Sequence, residues 1–137
     1  MTTTTVPTLL KIVTVEDSSL IVSRMKEMLD EISGVAFAGN AESIPVALEL
    51  LETVNPDVLI LDINLGSRDT KNGIDLLFDI RKIYPEMKII MLTNLTDKRY
   101  RDLCEEGGAD FFFDKSNDFD RIPDTLVGII KDRKLFG

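Results

Sequence analysis

The sequence predicts an α/β domain, a parallel five-stranded sheet with helices packed on both of its faces. Three observations carry this reading. A short apolar run followed by an amphipathic stretch recurs five times along the chain. Four of these runs are nearly continuous rather than alternating, as strands are when both faces of a sheet are covered. Strand and helix alternate at lengths that suit right-handed crossovers between parallel neighbours.

The first run is Lys11–Glu16, and the helix after it sets Ile21, Met25, Met28, Leu29 and Ile32 on one face, with Gly34 as its stop. The second run, Val35–Ala41, leads to a helix with Ile44, Ala47, Leu48 and Leu51 on its inner face, closed by Asn55-Pro56. The third, Val58–Leu61, precedes a helix marked by Ile74, Leu77, Phe78 and Tyr84 and ended by Pro85. The fourth, Lys88–Leu92, precedes a short helix around Leu103 and Cys104 that stops at Gly107-Gly108. The fifth is Phe111–Asp114. The last helix carries Phe119, Ile122, Leu126, Ile129 and Ile130, and runs on through Lys131, Arg133 and Lys134, whose charges suit its C-terminal dipole.

A chain of 137 residues is enough for one domain. Residues 1–9 read as a disordered leader and 10–137 as the domain. The start, Met1 to Pro7, has neither a basic head nor a long apolar core, so it is not read as a secretory signal. No apolar run reaches the roughly 18 residues that span a bilayer, and a cytoplasmic location is expected. Cys104 is the only cysteine, cannot form an internal disulfide, and reads as a small core residue. A net charge of −8 without a basic run argues against a nucleic-acid surface. It fits a cation or protein partner, and equally fits plain solubility. There is no histidine, which excludes histidine acid–base catalysis, a Ser–His triad, histidine metal sites and a phosphohistidine carrier within this chain.

Sheets of this kind bind ligands at the carboxyl ends of their strands. Glu16-Asp17 end the first strand, Asp62 the third with Ile63-Asn64 after it, Thr93 the fourth, and Asp114-Lys115 the fifth. Singly, each has an ordinary reading: Asp17-Ser18 as a helix cap, Asp62 as the first residue of a loop, Thr93 as a strand residue, Lys115 as a solvated cation. Gathered on one rim, three carboxylates would repel, and a divalent cation would remove that cost. Mg²⁺ takes one or two carboxylates together with phosphate oxygens. An ionised aspartate forms covalent phospho-intermediates by direct attack. The transition state spreads negative charge over three equatorial oxygens, and a metal, an ammonium and a hydroxyl can each address one of them.

This set, and the succession of elements over about residues 10 to 135, resembles the receiver-domain (response regulator) family of two-component systems, including its stand-alone chemotaxis-type members. The resemblance implies a flavodoxin-like (βα)5 three-layer sandwich with strand order 2-1-3-4-5. Asn55-Pro56-Asp57-Val58-Leu59-Ile60-Leu61-Asp62 is similar to the segment leading to the phosphoacceptor, which makes Asp62 the acceptor. Glu16 and Asp17 resemble the acidic pair, Asp17 touching the metal and Glu16 acting through water. Asn64 would give Mg²⁺ a backbone carbonyl, and Mn²⁺ would substitute. Thr93 resembles the switch hydroxyl, Lys115 the family lysine, and Phe112 the aromatic that rotates, while Gly107-Gly108-Ala109-Asp110 precedes the last strand as in the family. The implied function is a signalling switch rather than an enzyme. A single-domain response regulator would take a phosphoryl group from a sensor histidine kinase or phosphotransfer protein. It would then alter the face made by the fourth helix, fifth strand and fifth helix. The signal would pass to a downstream protein target, or the phosphoryl would pass on in a relay. A monomer or a phosphorylation-dependent dimer is expected.

Four positions depart from the family. Ser116 follows Lys115 in place of proline, where a cis bond would cost about 3 kcal/mol, and Ser116, Asn117 and Asp118 become available as caps for the last helix. Leu65–Gly73 is longer than usual and lacks the customary proline; it reads as a mobile loop sooner than as one that shapes partner choice. Asn94 replaces a small residue and narrows access to the site. Phe112 has no hydroxyl to donate. Three other readings stay open. A flavodoxin-like cofactor module would need a hydroxyl- and glycine-rich loop where Glu16-Asp17 stand. An aspartyl phosphatase would need a second aspartate where Asn64 stands. A receiver could also work by binding alone.

Overall fold

The computed structural model describes residues 8–65 and 72–136. The first seven residues of the expected leader, and most of the Leu65–Gly73 stretch, lie outside the described residues. The elements in chain order are β1 (Leu10–Val15), α1 (Ser19–Asp30), β2 (Val35–Ala41), α2 (Ile44–Val54), β3 (Val58–Leu61), α3 (Gly73–Ile83), β4 (Lys88–Thr93), α4 (Lys98–Glu106), β5 (Phe111–Asp114), a 3₁₀ turn (Phe119–Arg121) and α5 (Ile122–Phe136). The strands are parallel in the order β2-β1-β3-β4-β5, as the resemblance implies.

Alternation along each strand splits the core into two layers. From β1, Val13 and Val15 face one side, where Ala47 and Leu51 of α2, Leu76, Leu77 and Ile80 of α3, and Cys104 of α4 are buried. Ile12 faces the other side, with Met25 and Leu29 of α1 and Ile122 and Leu126 of α5. Burial of such side chains contributes roughly 1.5–3 kcal/mol each, and both faces need it, which is why the strands read as unbroken apolar runs. Leu48, expected on the inner face of its helix, is instead exposed at 39%. On α2 the inward line is set by Ala47 and Leu51, four residues apart, and Leu48 falls outside that narrow stripe.

The helix ends follow local chemistry. Ser18, not Asp17, caps α1 by accepting a hydrogen bond from the Ile21 amide. Asn55 closes α2 in the left-handed region at φ 51°, a conformation asparagine tolerates. Asn72 and Asp75 form a reciprocal capping box at the start of α3. Arg133, expected to complement the dipole of the last helix, pairs with Asp57 of the α2–β3 turn at 3.3 Å.

Candidate functional site

Register alone brings the chemistry to one rim. Val15 pairs with Leu61, so Glu16 and Asp62 are the next residues on two neighbouring strands. Thr93 pairs with Asp114, which places Lys115 one residue further on. Main-chain bonds carry the ladder into the site: the Asp62 amide donates to Val15 (3.2 Å) and the Lys115 amide to Thr93 (2.9 Å).

Glu16, Asp62 and Thr93 are buried, and Asp17 is exposed beside them. One carboxylate oxygen from each of Glu16, Asp17 and Asp62 lies within 4.8 Å of the others. The Lys115 ammonium bridges two of them, donating to Asp62 Oδ2 at 2.8 Å and pairing with Glu16 Oε1. Three carboxylates thus face one ammonium, a deficit that a divalent cation would balance. The donors are all oxygen, which suits Mg²⁺. Asp17, Asp62, Asn64, Thr93, Asn94, Leu95 and Lys115 line a cleft of about 230 Å³, and Glu16 lines a separate, smaller hollow that also includes Asp62.

Electrostatics here are set by burial and pairing. Burial raises the Glu16 carboxyl above its ordinary value, and the negative charge of Asp62 adds to this, while the Lys115 hydrogen bond and the Ser18 amide oppose it. For Lys115, burial acts to lower the ammonium, but hydrogen bonds from it to Asp62 and Glu16, with their charges, outweigh burial and raise it.

The positioning of these side chains is local. Glu16 Oε2 accepts from the Asp17 amide (2.8 Å) and the Ser18 amide (3.2 Å). Asp62 Oδ1 accepts from the Asn64 amide (3.3 Å), and Thr93 Oγ1 from the Leu95 amide (3.1 Å). Gly73, at the start of α3, lies directly against the main chain of Asp62, since a Cβ there would fall 2.0 Å from the Asp62 carbonyl oxygen. Phe112 does not line the cleft. It packs on the α2–α3–α4 side of the sheet with the Arg101 guanidinium 4.8 Å from its ring centroid. Phe113, its neighbour, is buried in the opposite layer.

The segment after Lys115 departs from expectation. Asp118 makes no side-chain cap to the following turn. Instead the segment folds back on Asp114, whose Oδ1 accepts from the Ser116 amide (2.8 Å) and whose Oδ2 accepts from Asn117 Nδ2 (2.9 Å). Asp118 Oδ2 in turn accepts from the Asp114 amide (2.9 Å). The bonds from Ser116 and Asn117, the Ser116 amide foremost, hold the Asp114 carboxyl below its usual range. The Lys115–Ser116 bond is trans, and no peptide bond among the described residues is cis. Asn94 is exposed at the cleft, where its Oδ1 accepts from Ser116 Oγ at 3.4 Å.

A doubly covered parallel sheet with this rim defines a two-component signalling domain. The chain belongs to the response regulator receiver domain family, which it matches over residues 12–127. Members of this family are phosphoacceptor switches that bind Mg²⁺ in an acidic site and are served by a histidine kinase or phosphotransfer protein. The chain is 33% identical over 123 residues to protein-glutamate methylesterase/protein-glutamine glutaminase 1 of Carboxydothermus hydrogenoformans, covering 88% of this chain and 35% of the relative. It is 30% identical over 126 residues to the corresponding protein 2 of Photobacterium profundum, covering 90% and 31%. The chain spans about a third of the length of these curated relatives. Among solved structures, the receiver domain of RcsB from Salmonella enterica serovar Typhimurium, with phosphomimetic BeF3⁻, superposes with TM-score 0.82 at 20% identity, covering 90% of this chain and 89% of that one. The receiver domain of Thermotoga maritima CheB gives TM-score 0.75 at 24% identity, covering 90% and 95%. No helix among the described residues is long and apolar enough to cross a membrane.

Proposed function

We propose that Asp62 accepts a phosphoryl group from a histidine kinase or phosphotransfer protein, and that this chain relays the resulting change through α4, β5 and α5. The observation that carries the reading is the Lys115 ammonium held between Asp62 and Glu16, with Asp17 completing the acidic cluster. One oxygen of ionised Asp62 forms the bond to phosphorus while the bond from phosphorus to the donor breaks, and the donor keeps the electron pair. No proton need leave Asp62, so the absence of histidine is no obstacle. Lys115 would follow a phosphoryl oxygen with its ammonium. The Thr93 hydroxyl hydrogen would be offered to a second, while its oxygen stays on the Leu95 amide. Asp17 and Asp62, with the Asn64 carbonyl, would hold Mg²⁺, and Glu16 would act on it through water. Bound there, Mg²⁺ (or Mn²⁺) would neutralise charge that develops on the phosphoryl oxygens.

The movement of Thr93 would pull on the segment that follows β4, and Phe112 and Arg101 lie beside that segment. This gives the switched surface its route to a downstream protein, unless the phosphoryl is handed on in a relay. The functional unit is residues 10–137, working in the cytoplasm where kinase domains meet ATP. The test is labelling with a small phosphodonor such as acetyl phosphate in the presence of Mg²⁺. Labelling is expected for the native chain and lost in Asp62→Asn, and undiminished labelling of that variant removes Asp62 from its role.

A further inference from the structure

The pairing of β1 with β2 contains an irregularity beside the site. Leu10, Lys11 and Ile12 pair with Val35, Ala36 and Phe37, but Val13 pairs with Gly39, so Ala38 is an extra residue. Gly39 takes φ 147°, which side chains rarely adopt. Such bulges are found next to functional sites, where they re-aim a side chain. Here the shift sets Asn40 opposite Thr14 and Ala41 opposite Val15. Without it, Asn40 would stand opposite Val15.

In its shifted place the Asn40 amide makes two bonds. Its Oδ1 accepts from the hydroxyl of buried Thr14 at 2.7 Å, and its Nδ2 donates to the Glu16 carbonyl at 3.1 Å. A carbonyl only accepts, so this arrangement fixes which way the amide points. The Glu16 amide donates to Ala41 at 3.0 Å. Both main-chain polar groups of Glu16 are therefore held by β2. The carbonyl that Asn40 holds belongs to the peptide joining Glu16 to Asp17, and the plane of that peptide sets the direction of both carboxylates. Satisfying the Thr14 hydroxyl would need only an acceptor. The second bond, to the Glu16 carbonyl, is the one that reaches the site.

We infer that Asn40 is a positioning residue for the metal site, acting through the Glu16–Asp17 peptide, with Thr14 orienting its amide. This rests on the reading of Glu16, Asp17 and Asp62 as a Mg²⁺ site. Outer partners of metal ligands typically govern affinity by 10–100-fold. Asn40 acts through main chain, so a loss of about tenfold is expected in Asn40→Ala. Thr14→Val should lose less, and the double variant should bind no more weakly than Asn40→Ala, because the hydroxyl acts only through the amide. The experiment is a Mg²⁺ titration of the full chain followed by amide NMR, with thermal melts of each variant without metal. Native Mg²⁺ affinity in Asn40→Ala, with only a lower melting temperature, overturns the inference. If Asn40→Ala does not fold, Thr14→Val decides, and unchanged affinity there overturns it equally. If the native chain does not bind Mg²⁺ at all, the metal-site reading itself falls and the inference with it.

Discussion

The guanidinium of Arg101 lies over the ring of Phe112, 4.8 Å from its centroid, and its Nε donates to the Thr96 carbonyl at 3.3 Å. One side chain thus ties β5 to the segment that begins at Thr93. These are the two parts that the proposed switch would move, and Arg101 touches both.

Removing that tie should change the switch without removing the chemistry. An exposed guanidinium over a half-buried ring is worth about 0.5–1 kcal/mol. Arg101→Ala should therefore shift the balance of switched and unswitched states by about two- to fivefold. Asp62 should still label with a phosphodonor. Amide NMR in subsaturating beryllofluoride and Mg²⁺ reads the populations, and unchanged signals at Phe112 would show that the contact carries no coupling.

Lys115 holds two buried carboxylates, so its loss leaves both without their cationic partner, on main-chain amides alone. Breaking a buried charge pair from one side typically costs about 3 kcal/mol. Lys115→Ala should fall in stability by that order in urea unfolding without metal. Millimolar Mg²⁺ should restore part of the loss, because it supplies the missing positive charge. Full stability in the metal-free variant would contradict the burial of these charges.

Cys104 is fully buried, and burial pushes its thiol up to about 11 from an ordinary value of 9.0. The folded chain thus holds the thiol proton more tightly than the unfolded chain does. Its contribution to stability is complete below pH 9.0, and it is lost as pH rises from there towards about 11. Urea unfolding of Cys104→Ala should lack this part of the alkaline slope. In the native chain at pH 8 the thiol should resist Ellman's reagent and react once urea unfolds the protein.

Much of this was legible in the sequence, for a physical reason. A strand covered on both faces must be apolar along its length, so the first polar residue after each run marks the rim. That rule located Glu16, Asp62 and Thr93 without coordinates, and Asp114 on the fifth strand, with Lys115 one place beyond it. It did not locate Asn40, because nothing in Ala38-Gly39-Asn40 says which residue is left unpaired, and a slip of one place reverses what faces the site. The Asp114 hub was hidden for a related reason. Ser116, Asn117 and Asp118 suit a helix cap as well as a turn, and only the backward path of the chain decides between them. Leu48 misled because apolar spacing on a short helix fits more than one inward direction.

Gly73 has a consequence for how this molecule can diversify. Its amide donates to the Ile63 carbonyl at 2.7 Å, and its missing side chain lets α3 begin against the main chain of Asp62. The two ends of the intervening stretch are fastened to each other, like the jaws of a clasp. Any side chain at position 73 would therefore drive the start of α3 off the main chain of Asp62, so this place is closed to substitution while its neighbours are not held in the same way.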